Sequence, residues 1–312
     1  MKLLKKIALA FVVVLVLSLA GGYVYFDRKF SPAENALDVV GSAEAVPIHW
    51  QAMDGNAHAA LLLPVKIRGI DKQFFMQLDF GAPSTILYRT PLQSIRDRFP
   101  TAFALDATSP QVALGFGVGG LQVSSRKFAL KAYGSAVEFD KPDAENIIGT
   151  LGADVLEKRV VVLDMKRDAC SFVERVAGTG FVPFEFKKRK ILLPATLGGT
   201  RLKLLYDSGS SGYQLITTEE NWKRLRTADG SVKVETGNSW GTALKVVSAP
   251  SEQQVLISGT ALKLSEVTYV EGMPAMQRWL MKGSGMEGMV GNALFLGHIL
   301  TLDARNRQFK IE

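Results

Sequence analysis

The sequence predicts a mainly β protein built from two related halves. Three observations carry that expectation. Short apolar β-type runs separated by glycine turns dominate, while long 3.6-period runs are scarce. A strand–turn–strand–aspartate unit occurs twice, once over Leu61–Tyr88 and again over Ile191–Ile216, with Pro64 matching Pro194 and Asp79 matching Asp207. A second pair of segments follows in the same order. Gly149, Gly152 and Asp164 match Gly288, Gly291 and Asp303 without a gap. Repeats of this kind are best sought before other patterns, because missing one misassigns the whole fold.

The chain opens on Lys2, Lys5 and Lys6, followed by Ile7–Phe26, twenty residues without a charge. At about 1.5 Å per residue this stretch just spans a hydrocarbon core of roughly 30 Å. The basic flank places the N-terminus in the cytoplasm and sends the rest outward. Residues 1–26 are therefore expected to be an uncleaved single-pass anchor, with a cleaved signal segment as the alternative. The expected location is the inner (cytoplasmic) membrane, with the folded part facing the periplasm or the exterior. Residues 27–57, broken by Pro32 and Pro47, read as a stalk or packed arm. The first half then runs over 58–175 and the second over 176–312. Short helices are expected at Pro91–Phe99, Glu219–Thr227 and Met273–Met281, with helical turns at Ala153–Lys158 and Asn292–Leu296.

Composition excludes several functions. A single cysteine, Cys170, removes disulfide frameworks and cysteine-based zinc sites, and the three histidines argue against a histidine cluster. No metal or cofactor is expected. The net charge is +7, three units of it from the N-terminal lysines, and the remainder is too diffuse to suggest nucleic acid.

The repeated aspartates carry the chemistry. In each half a glycine stands two residues after the aspartate, Gly81 after Asp79 and Gly209 after Asp207. Such glycines permit tight turns and a close approach of two loops. Two carboxyls a few ångströms apart cannot both ionise, so they share one proton. One can then act as base on a water while its partner protonates a carbonyl oxygen. An aspartate that merely caps a turn is the competing reading for either loop alone. A serine nucleophile at Ser210 or Ser211 lacks the G-x-S-x-G elbow.

Asp79-Phe80-Gly81-Ala82-Pro83-Ser84-Thr85-Ile86-Leu87 resembles the retropepsin D-[ST]-G-A-x-x-T-φ-φ loop, and Asp207-Ser208-Gly209-Ser210-Ser211 resembles the pepsin-type loop. Residues 149–156 and 288–295 are similar to the apolar-glycine segment that completes each lobe in the same family. The resemblance covers roughly residues 58–312. It implies a two-lobed acid-protease β-barrel architecture and a single cleft in one monomeric chain. It further implies hydrolysis of peptide or protein substrates by Asp79 and Asp207. Gly81, Gly209, Ser208 and Ser210 would line the substrate floor. Gly115–Gly120 reads as a glycine-rich hairpin. The same resemblance makes it a substrate-covering flap that offers Phe116 and Gly117, with a plain exposed hairpin as the alternative. It also gives Thr236–Thr242 as the second-half equivalent, with Trp240 as a cleft wall. Phe80 stands where the family has Thr or Ser, whose hydroxyl braces the opposite loop. Two readings therefore stay open, an aspartic endopeptidase and a catalytically impaired homologue that binds extended peptides in the cell envelope. A purely structural envelope protein is the third. Lys187–Lys190 reads as a solvated turn, and Cys170 as a small buried residue.

Overall fold

The computed structural model describes residues 31–239, 242–272 and 286–312. The expected anchor and the expected helix at Met273–Met281 lie outside them. Among the described residues no helix is long and apolar enough to cross a membrane. Residues Asn35–Glu312 form one compact unit, and it is mainly β with two short α-helices, Arg89–Arg98 and Glu219–Leu225, among the described residues. The second helix is capped by Thr218, which accepts the Asn221 amide, and has Glu219 and Glu220 in its first turn.

The duplication is visible in the strand pairing. In the first half, Asn56–Ile67 pairs antiparallel with Gln73–Leu78, which runs parallel to Ile147–Leu151. In the second half, Lys190–Leu197 pairs with Thr200–Tyr206, which runs parallel to Gly288–Val290. The strand after each aspartate loop occupies the same place. Ile86 lies opposite Thr150, and Ile216 lies opposite the matching Met289. Alternation along the strands, as in Gln73–Leu78, puts Phe74, Met76 and Leu78 inside.

A third sheet draws on both halves. Val160–Asp164 pairs antiparallel with Ile299–Asp303, and these two strands are each other's equivalents in the repeat. Val162 faces Thr301, its own counterpart, so the local two-fold axis passes between these residues. Ala169–Val173 and Gln308–Ile311 flank the pair.

The arm carries more structure than its sequence suggests. Asp38–Val40 joins the first sheet beside Leu121–Lys131, Ala43–Pro47 joins the shared sheet, and His49–Met53 forms a hairpin with Asn56–Ile67. That hairpin crosses the boundary drawn at residue 57. Edge strands this short have too few alternating positions to show a period.

Candidate functional site

Each aspartate follows a buried strand and is fixed by the same backbone bond. The Asp79 amide donates to Leu151 O at 3.0 Å, and the Asp207 amide donates to the matching Val290 O at 2.9 Å. The glycines of the apolar segments allow this approach. A Cβ on Gly152 or Gly291 would collide with backbone of Ser84 and Ser210 respectively.

The two loops meet face to face. A Cβ at Gly81 would stand 2.5 Å from Asp207 Cγ, and one at Gly209 would stand 2.5 Å from Asp79 Oδ1. Asp79 and Asp207 are both half-buried, and Gly81 is exposed. Asp79 Oδ1 accepts the amides of Gly81 (2.9 Å) and Ala82 (3.0 Å). Asp207 Oδ1 accepts the Gly209 amide at 3.0 Å, and its Oδ2 accepts the Ser210 hydroxyl at 2.9 Å. Burial, and then the neighbouring Asp207 charge, push the Asp79 carboxyl up to about 7, against the pull of its two amide donors.

Ser208 departs from the expectation that it lines the substrate floor. It is fully buried. Its hydroxyl accepts the Phe80 amide and donates to Leu78 O, both at 2.9 Å, so it ties the second loop to the first. Phe80, also fully buried, offers no return hydroxyl and packs its ring 6.2 Å from that of Tyr206. The Tyr206 hydroxyl donates to Asn292 Oδ1 at 2.6 Å, and Asn292 Nδ2 donates to Ser208 O and Ser211 Oγ.

Sequence reasoning passed over a support behind the first loop. Asp154 accepts the Thr85 amide and the Thr85 hydroxyl, each at 2.7 Å, while Thr85 Oγ1 accepts the Gly152 amide. Burial raises the Asp154 carboxyl above its ordinary range. The signal was present as the Thr of the first loop and the Asp of Gly-Ala-Asp, but spacing alone does not pair them.

The glycine-rich hairpin is not a flap. Phe116 is 1% exposed and packs against Phe128 within the core. Gly117 and Phe116 lie opposite Lys66 and Ile67, about five residues along that strand from the row beside Leu78. At about 3.3 Å per residue this is on the order of 15 Å from the aspartate end. Its turn packs on Ser42, Ala43 and Val46 instead. Pairing also corrects the proposed equivalence. The strand Gln111–Val118 touches Asn56–Ile67 as Thr242–Ile257 touches Lys190–Leu197, so its turn corresponds to Ile257–Thr260 and not to Thr236–Thr242. Trp240 lies outside the described residues. Lys187–Lys190 is not wholly solvated either, because Arg189 is buried. Cys170 is fully buried, and its thiol is pushed up by burial. Among the described residues no group of three or more metal-ligating side chains comes together.

No protein-family model and no curated protein matches the chain. Among solved structures, the chain is similar to an aspartic proteinase from Irpex lacteus, at 10% identity and a TM-score of 0.48, over 87% of this chain and 97% of that one.

Proposed function

We propose that the chain is an aspartic endopeptidase-like hydrolase, with Asp79 and Asp207 as its catalytic pair. The observation that carries this reading is the reciprocal packing of two equivalent loops, which sets the carboxyls against one another with one raised to about 7. Asp79 then holds the shared proton, and Asp207, whose two oxygens accept the Gly209 amide and the Ser210 hydroxyl, is the carboxylate. Asp207 takes a proton from water as the oxygen attacks the peptide carbon, while Asp79 protonates the carbonyl oxygen. The resulting diol collapses as Asp207 returns its proton to the departing nitrogen and Asp79 recovers one from a diol hydroxyl. The scissile C–N bond is replaced by a carboxyl and an amine, and the pair ends as it began. Gly81, Gly209 and Ser210 form the floor under the substrate in this reading.

The same proposal takes residues 58–175 and 176–312 as two lobes of one acid-protease-type monomer, exported behind an N-terminal anchor and acting on peptides or proteins at the outer face of the inner membrane. The test is incubation of residues 30–312 with a diverse peptide pool from acid to neutral pH, beside Asp79→Asn and Asp207→Asn. Cleavage that either change abolishes, and that chelator leaves intact, is the expected result. A folded protein that cleaves nothing would instead favour the second reading, a peptide-binding homologue. The observation on that side is Phe80, which returns no hydroxyl to match the brace that Ser208 makes.

A further inference from the structure

Arg189 comes from the second half, yet its side chain ends in the first. It sits with Lys188 in a two-residue hairpin turn between Lys187 and Lys190. Both turn residues have positive φ, 53° for Lys188 and 60° for Arg189. Such turns favour glycine or asparagine, and a long side chain there is held against its backbone preference. The side chain supplies the reason. Arg189 is 6% exposed, and its Nε donates to Glu157 Oε1 at 2.7 Å. Its Nη1 donates to Pro83 O at 3.3 Å and to Ser84 Oγ at 3.1 Å. Glu157 is itself held from the other side, where Asn35 Nδ2 donates to its Oε2 at 2.8 Å.

Pro83 and Ser84 lie four and five residues beyond Asp79, on the outer arm of its loop. On the inner arm Ser208 of the second half holds the Phe80 amide and Leu78 O, while Phe80 returns no hydroxyl. We infer that Arg189 is a positioning residue for Asp79, clamping the outer arm of the first aspartate loop from the second half where residue 80 does not brace the inner one. A planar fork with fixed donors suits this task, since it holds the loop and Glu157 together. The inference deepens the peptidase reading and rests on it for its functional meaning.

The direction of the effect follows from what the clamp preserves. Asp79 is raised mainly by burial and by the nearness of Asp207, and a loosened loop weakens both. The test is titration of the Asp79 carboxyl carbon by NMR in protein labelled with ¹³C-aspartate, its signal identified by loss in Asp79→Asn. In Arg189→Met the midpoint is expected to fall by about one pH unit or more. A midpoint within about 0.3 unit of the wild type, or above it, in folded Arg189→Met overturns the inference. Should that variant not fold, Glu157→Gln removes the anchor that aims the guanidinium, and the same fall or its absence decides. If the wild type cleaves peptides, Arg189→Met is further expected to lose about ten-fold or more in kcat with KM little changed, and Arg189→Lys to recover part of it. If the wild type cleaves nothing, the peptidase reading fails while the titration still decides on Arg189.

Discussion

Gly81 and Asp207 lie so close that a single carbon added to the glycine would sit 2.3 Å from a carboxyl oxygen, well inside van der Waals contact, and Gly209 stands in the same relation to Asp79. The site is therefore defined by two absences of side chain as much as by two carboxyls. Gly81→Ala forces the loops apart. It is expected to lower peptide cleavage by about 100-fold or more, since displacements of an ångström at reacting groups cost such factors. The stability loss should be moderate, about 1–3 kcal/mol for overpacking. Activity and urea midpoint measured together separate the two effects.

The pKa of Asp79 sets a pH signature. Its carboxyl titrates near 7 in the folded protein, against 3.8 as the ordinary value. Between those values the folded state binds more protons than the unfolded chain, so this group's contribution to stability falls as pH rises. The contribution is greatest below pH 4 and is lost through pH 7. Thermal midpoints from pH 4 to 8 are expected to decline in the wild type, and Asp79→Asn should flatten that part of the curve. Cleavage that needs a protonated Asp79 should fall away above the same pH.

Ser208 holds two buried backbone groups, the Phe80 amide and Leu78 O. Ser208→Ala leaves both without this partner, at about 1–3 kcal/mol for each unsatisfied group. Denaturant unfolding with an unchanged slope would register the loss as a lower midpoint.

Phe80 is fully buried, and its burial predicts what replacing it does. Phe80→Ala empties a fully buried site beside Tyr206 and should destabilise by about 3–5 kcal/mol. Phe80→Thr supplies a hydroxyl like that of Ser208, but it too should be less stable than the wild type because most of the ring's volume stays empty. A more stable Phe80→Thr would mean that the ring is strained in its place.

Much of the site could be read from the chain because its key residues recur at matched spacing. Asp79 with Gly81 and Asp207 with Gly209 stand out against a background of apolar strands, and the paired glycines at 149, 152, 288 and 291 fix the register. What could not be read depended on distant partners. Gly115–Gly120 has the composition of either a flap or a back turn, and only pairing of Gly117 with Lys66 separates them. Ser208 reads in sequence as a floor residue because a hydroxyl beside an aspartate loop suits a substrate as well as a brace. Arg189 sits in a run of four basic residues, where nothing local marks one as buried. The arm's strands, Asp38–Val40 and Ala43–Pro47, gain their order from partners at 122–124 and 169–172.

The strand Val160–Asp164 takes one neighbour from just downstream and the other, Ile299–Asp303, from near the end of the sequence. During synthesis it therefore waits, with one row of backbone donors and acceptors unclaimed, until residues 299–303 have emerged. Pairing over such a separation is slow, and an unclaimed apolar strand edge invites another molecule to fill it. A chain arrested before residue 299 would carry both aspartates and still lack the seam that joins its halves. Its characteristic fate should be self-association through Val160–Asp164, and a synthetic peptide of residues 299–311 should suppress it.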